Sequence, residues 1–163
     1  TTEQIKRSGG TVVVSRAGMT IIAARMKKED IVFGGEMSSH FYFRDNFYRD
    51  NGLIPLFLII EMMAKYNKPL SELVLPFTSK YFTPGEINFE TDKKDEIITA
   101  FEEKFKDGKI EHIDGLSIEY PEWRLNLRKS NTEPLLRLNL EARSRELMEQ
   151  KKEELVSLIK SLS

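Results

Sequence analysis

Cysteine is absent from this 163-residue chain, which excludes disulfides and thiolate metal sites. Histidine is nearly as scarce, since His40 and His112 are the only two, and they offer few ligands for a zinc site. A dominant charge is also lacking. The formal net charge of -1 and a pI near 6.2 give no global attraction to nucleic acid, so any anion binding must come from local clusters. There is no long apolar run either. Residues 53–64 are interrupted by Pro55 and Glu61 and are too short to span a bilayer. No signal-peptide pattern opens at Thr1, so the expectation is a cytoplasmic protein without membrane contact. With 40% hydrophobic and 31% charged residues, the composition is that of a globular chain, and two small domains fit it better than one large one.

What is present divides near the middle. Thr11-Val12-Val13-Val14 is a β-branched run of the kind found in a buried parallel strand, and it is followed by Gly18 and a helical pattern over residues 20–28. Residues 31–33 supply the next strand, making a βαβ unit with a loop at the strand's carboxyl end, where ligands of open α/β sheets lie. A strand at Phe41–Phe43, a turn at Asp50-Asn51-Gly52 and an apolar helix over residues 53–66 follow, the helix expected to pack on the sheet and to be extended briefly by residues 69–74. Residues 75–85 contain Pro76 and Pro84 without periodicity and mark a boundary between domains 1–75 and 76–163. Beyond it the pattern predicts a strand at Ile87–Glu90, a helix over 93–105, and a hairpin around Asp114-Gly115. Two alternating strands, 123–127 and 135–140, come next. Ser144 then caps a helix that buries Leu147, Leu155, Leu158, Ile159 and Leu162. The fold class is α/β followed by α+β. The first part is a partial three-layer βαβ mixed-sheet domain, and the second a small antiparallel sheet with helices packed on it.

Two segments carry chemistry. Residues 128–137 gather two arginines, two hydroxyls and an amide around a turn between apolar runs, which suits phosphate because a planar guanidinium matches its oxygens and turn donors reach the remaining lone pairs. Asn-Thr-Glu-Pro is equally good turn chemistry, so a plain polar connection remains open. Residues 34–40, Gly-Gly-Glu-Met-Ser-Ser-His, project a carboxylate, two hydroxyls and an imidazole from a glycine bend. They suit a polyhydroxylated ligand, or else a loop whose polar groups cap neighbouring amides.

Together the segments resemble the alpha-D-phosphohexomutases, which interconvert hexose 1-phosphates and 6-phosphates. The family's sugar loop, Gly-Glu-x-Ser-Gly-His, falls on Gly35, Glu36, Ser38 and His40, with Ser39 where glycine is usual. Its phosphate loop, Arg-x-Ser-Asn-Thr-x-Pro, falls on Arg128, Ser130, Asn131, Thr132 and Pro134. Residues 83–88, Thr-Pro-Gly-Glu-Ile-Asn, look like the opening of the family's last domain. The loops that carry the family's catalytic serine and its magnesium do not occur, and Asp107-Gly108 and Asp114-Gly115 read as turns. The resemblance therefore implies a carboxy-terminal fragment that starts inside the third domain, has an incomplete sheet, and is inactive without the missing amino-terminal domains.

Within that family, the resemblance implies a phosphoserine that acts through a hexose 1,6-bisphosphate, with Mg2+ held outside this chain and a phosphorylated hexose as partner. It assigns phosphate binding to Arg128, Ser130, Asn131, Thr132 and Arg137, the last backing the direct contacts or supporting the strand, with Lys129 turned to solvent. It assigns the sugar to Glu36, Ser38 and His40, the last also able to assist proton transfer, and to Gly18 and Met19 in the preceding loop. A non-catalytic phosphosugar-binding module and an interaction protein with merely structural turns are the other readings.

Overall fold

Alternation builds the second half of the chain. Along β7 (Trp123–Lys129) as far as Leu127, and throughout β8 (Leu135–Ala142), every second side chain is buried, as period-two geometry demands of a sheet covered on one face. A computed structural model describes residues 2–130 and 133–163 and separates two compact units, Thr1–Tyr66 and Asn67–Ser163.

In the second unit, β4 (Ile87–Glu90), β5 (Lys109–Glu111) and β6 (Leu116–Glu119) join β7 and β8 in one antiparallel sheet of order β4-β8-β7-β6-β5. Leu116, Ile118, Leu125, Leu127, Leu136 and Leu138 lie on its inner face. They meet Ile97, Phe101 and Phe105 from the region of α5 (Lys94–Lys104), and Met148, Leu155 and Ile159 from α6 (Arg145–Leu162). Each fully buried aliphatic or aromatic side chain contributes about 1.5–3 kcal/mol. The helix α6 starts where the sequence placed it, because Ser144 Oγ accepts the Leu147 amide at 3.1 Å. Met148 is a core member that the apolar stripe did not include. The outer face is polar: Arg128 stands opposite Arg137, Asn126 opposite Asn139 and Arg124 opposite Glu141. At the β5–β6 turn Gly115 has φ +73°, and a Cβ there would lie 2.5 Å from the Leu127 carbonyl oxygen, so the turn needs glycine for both reasons. A separate short helix, α4 (Leu70–Thr78), precedes this sheet and contains Pro76.

The first unit holds α1 (Thr2–Arg7), α2 (Met19–Glu29) and a three-stranded sheet of β1 (Phe33–Gly35), β2 (Phe41–Phe43) and β3 (Arg49–Asp50). Tyr42, Ile22 and Met26 form its small core. The strands are antiparallel, so a hairpin rather than a crossover presents the 36–40 loop. Residues 11–14 form no strand. Their β-branched side chains favour a ladder only where a neighbouring strand supplies one, and Val13 and Val14 are exposed instead.

The apolar helix α3 (Leu53–Tyr66) forms, begun by Asn51, whose Oδ1 accepts the Leu53 and Ile54 amides at 2.9 and 3.1 Å. It does not pack as expected: none of its residues is buried, and Leu53, Leu56, Phe57 and Ile60 all lie exposed. The physical reason is area. Strands of two or three residues offer little surface, and α2 already covers Tyr42.

Candidate functional site

In the first unit the β1–β2 hairpin closes by two backbone bonds, Glu36 N–H to the His40 carbonyl at 2.9 Å and Ser39 N–H to the Glu36 carbonyl at 3.1 Å. Ser39 takes φ +65°, a left-handed conformation that explains why glycine suits this position. The Glu36 carboxylate then collects three donors. Tyr42 Oη (2.9 Å) and the Gly18 amide (3.3 Å) reach Oε1, and Ser38 Oγ (3.1 Å) reaches Oε2. Gly18 has φ +128°, which a side chain would resist. The structure thus joins Gly18, Glu36 and Ser38. Met19 lies beside them in sequence as the first residue of α2 and is 61% exposed.

Tyr42 was not singled out by sequence. It is fully buried, and burial first, then its hydrogen bond to Glu36, pushes its pKa up to about 12. It therefore remains a phenol and a donor to the carboxylate. The alternation of Phe41-Tyr42-Phe43 was the available signal, because it turns the middle ring to the opposite face from its neighbours.

His40 is held by a second unexpected residue. Asp50 on β3 accepts the Phe41 amide at Oδ1 (2.9 Å) and shares Oδ2 with His40 Nδ1 (2.7 Å). The hydrogen bond to Asp50 raises the His40 pKa above 6.5, reinforced by the same carboxylate's charge. The Asp50 pKa is lowered, chiefly by the bond to His40 and then by the Phe41 amide. With Nδ1 engaged, Nε2 is the ring atom available to a ligand. Nothing in the sequence beyond turn chemistry marked Asp50.

In the second unit, Arg128 and Arg137 are register partners on the open face of the sheet, and the turn between their strands carries Ser130. Ser130 N–H donates to the Leu135 carbonyl at 2.9 Å, and Ser130 Oγ accepts the Glu133 amide at 3.3 Å. Asn131 and Thr132 lie outside the described residues. Glu86, one residue ahead of β4, receives Arg128 Nη2 on Oε2 and Arg137 Nη1 on Oε1, both at 3.2 Å. Asn139 Nδ2 adds a third contact at 3.3 Å. Arg137 Nη2 also donates to Glu133 at 2.6 Å. Lys129 is exposed and pairs at the surface with Asp95 at 2.6 Å, because the strand's alternation sends it away from Arg128 toward the start of α5. Both arginines are partly buried. Glu86 stands on the same face as Asn88 and Arg137 by strand parity, the signal by which it could have been found.

An α/β unit that presents a polar hairpin, followed by an antiparallel unit with paired arginines on its open face, has matches among known proteins. Residues 1–81 match the family model "Phosphoglucomutase/phosphomannomutase, alpha/beta/alpha domain III", and residues 86–158 match "Phosphoglucomutase/phosphomannomutase, C-terminal domain". The chain belongs to the phosphoglucomutase/phosphomannomutase family. A phosphomannomutase of Escherichia coli is 43% identical over 163 residues, covering 98% of this chain and 36% of that protein. Another from Methanocaldococcus jannaschii is 45% identical over 160 residues, covering 98% and 35%. The crystal structure of a phosphoglucomutase/phosphomannomutase family protein from Burkholderia thailandensis superimposes with a TM-score of 0.81 at 27% identity, over 98% of this chain and 34% of that one. The chain thus spans about a third of the length of the relatives it matches.

Proposed function

We propose that this chain forms the sugar-binding and phosphate-binding carboxy-terminal part of a phosphohexomutase that interconverts hexose 1-phosphate and hexose 6-phosphate, with mannose or glucose as the sugar. The observation that carries the reading is the pairing of Arg128 and Arg137 across the strands that flank the Ser130 turn, on a chain whose two halves match two successive domains of that family. In this reading residues 1–75 are the carboxy-terminal part of the third domain and residues 76–163 are the fourth. The exposed apolar surface of α3 supports further domains of the same polypeptide as its cover, and the chain alone is then inactive.

The reaction needs a phosphoryl donor outside this chain, a phosphoserine. The serine O–P bond breaks as a sugar hydroxyl oxygen bonds to phosphorus and gives up its proton, forming a hexose 1,6-bisphosphate. The bisphosphate turns round and returns its other phosphoryl group to the serine. The phosphate that is not reacting must be held in both orientations, and Arg128, Ser130, Asn131 and Thr132 supply that hold, with Arg137 beside them. Binding energy at this remote group positions the reacting one. Glu36 and Ser38 take the sugar hydroxyls, Gly18 and Met19 border them, and His40 contacts the sugar or carries a proton through Nε2. The magnesium implied by the resemblance has no ligand set among the described residues, where no three acidic or imidazole side chains converge, and none of these steps runs through it. Among the described residues no helix is long and apolar enough to cross a membrane. A cytoplasmic setting is part of the same proposal and accords with the absence of cysteine.

Titration of the isotopically labelled chain with glucose 1,6-bisphosphate tests it, following backbone amides of residues 35–40 and 128–133. Shifts in the second set that vanish in Arg128→Ala are expected, with a loss of roughly 1.5–3 kcal/mol for a charged hydrogen bond. Equal affinity of the variant and the parent would overturn the clamp.

A further inference from the structure

Two guanidiniums directly opposite on one sheet face repel each other, and Arg128 and Arg137 are so placed. The bare pair would splay its side chains into solvent. Instead, one carboxylate bridges them with separate oxygens, Glu86 Oε2 to Arg128 Nη2 and Oε1 to Arg137 Nη1, each at 3.2 Å. Asn139 Nδ2 fixes the same carboxylate from the neighbouring register position, and about seven-tenths of the Glu86 side chain is shielded from solvent. Glu86 comes from the connector ahead of β4, far in sequence from the strands that carry the arginines.

We infer that Glu86 is a positioning residue for phosphate recognition, holding the Arg128 guanidinium at a fixed angle so that its remaining N–H groups meet a phosphorylated ligand without first being ordered. The inference rests on the proposed phosphate-binding role of Arg128. Its physical content lies in a sign. A carboxylate that merely occupied the arginines would compete with phosphate, and its removal would tighten anion binding by adding one unit of net positive charge. A positioning carboxylate gives the opposite result, because a long side chain freed from one geometry must be immobilised on binding, at a cost on the scale of one side chain's rotamer entropy.

The test compares the parent chain with Glu86→Ala, Glu86→Gln and Arg128→Ala, titrating each with glucose 1,6-bisphosphate and reading the Arg128 guanidinium N–H signals. Backbone amides of β7 and β8 report whether the sheet is intact. Expected are restricted rotation of the Arg128 guanidinium in the parent, its loss in Glu86→Ala, and affinity lowered about tenfold in that variant, the scale of one charged hydrogen bond. Glu86→Gln keeps the side-chain length, should fall between the two, and decides the question if the alanine variant does not fold. Tighter or unchanged binding by the Glu86 variants, with Arg128→Ala still impaired, overturns the positioning role and leaves the clamp standing. No binding by the parent, or full binding by Arg128→Ala, overturns the clamp and this inference with it.

Discussion

Tyr42 and Glu36 are joined by a 2.9 Å hydrogen bond from the phenol to carboxylate Oε1, so the fully buried ring of the first unit's core fixes the acidic group at its surface. Tyr42→Phe keeps the ring and removes only this donor. It should destabilise the first unit by about 1 kcal/mol and speed hydrogen exchange at the Gly18 amide, which shares Oε1. Unaltered exchange at Gly18 would show that the phenol does not hold the carboxylate.

The His40–Asp50 pair gives a pH dependence of definite sign. The folded pKa of His40 lies above 6.5, so its contribution to stability is complete below the unfolded value and is lost as pH rises through the folded one. The lowered pKa of Asp50 works in the other direction, its contribution being present above 3.8 and lost as pH falls through the depressed value. The pair is therefore strongest in a mildly acidic window. Asp50→Asn should return the His40 titration toward 6.5, read from its ring proton shifts, and a midpoint that stays raised would assign the shift elsewhere.

Ser39 sits at φ +65°. A non-glycine residue there costs about 1–2 kcal/mol, partly offset in a glycine variant by the extra freedom of its unfolded chain, about 0.5–1 kcal/mol. Ser39→Gly should therefore stabilise the hairpin by roughly 0.5 kcal/mol, visible as slower amide exchange in residues 36–40. Faster exchange would contradict this.

Gly115→Ala meets both a positive φ and a contact of 2.5 Å with the Leu127 carbonyl. A loss of about 2 kcal/mol or more is expected from denaturant titration of the second unit. Gly52→Ala, in the first unit, gives the added Cβ nothing within 4 Å and should change the denaturant stability of that unit little.

How far the sequence could be read follows from what each signal depends on. Ile87–Glu90, β7, β8 and the Ser144-capped helix were legible because their alternation and caps are local and the sheet that completes them lies in the same unit. Residues 11–14 and α3 misled for one shared reason. Their patterns describe burial against other surfaces, and composition cannot say whether those surfaces belong to this chain. In the candidate sites, Glu36, Ser38 and His40 stand together in a short loop and were visible as a motif. Tyr42, Asp50 and Glu86 act from a strand interior, a neighbouring strand and a connector, where only register brings them to the site.

The strand order β4-β8-β7-β6-β5 has a consequence for the time course of folding. Strands β5 to β8 each pair with the next in sequence, so that meander can form from short-range contacts. Strand β4 must close a far longer loop to reach β8, which places its docking late. Pulse-labelled refolding should accordingly protect β7 amides before those of Ile87–Glu90, and simultaneous protection would argue against this order. Glu86 arrives with that last strand, so the two arginines face each other unbridged until the sheet is complete.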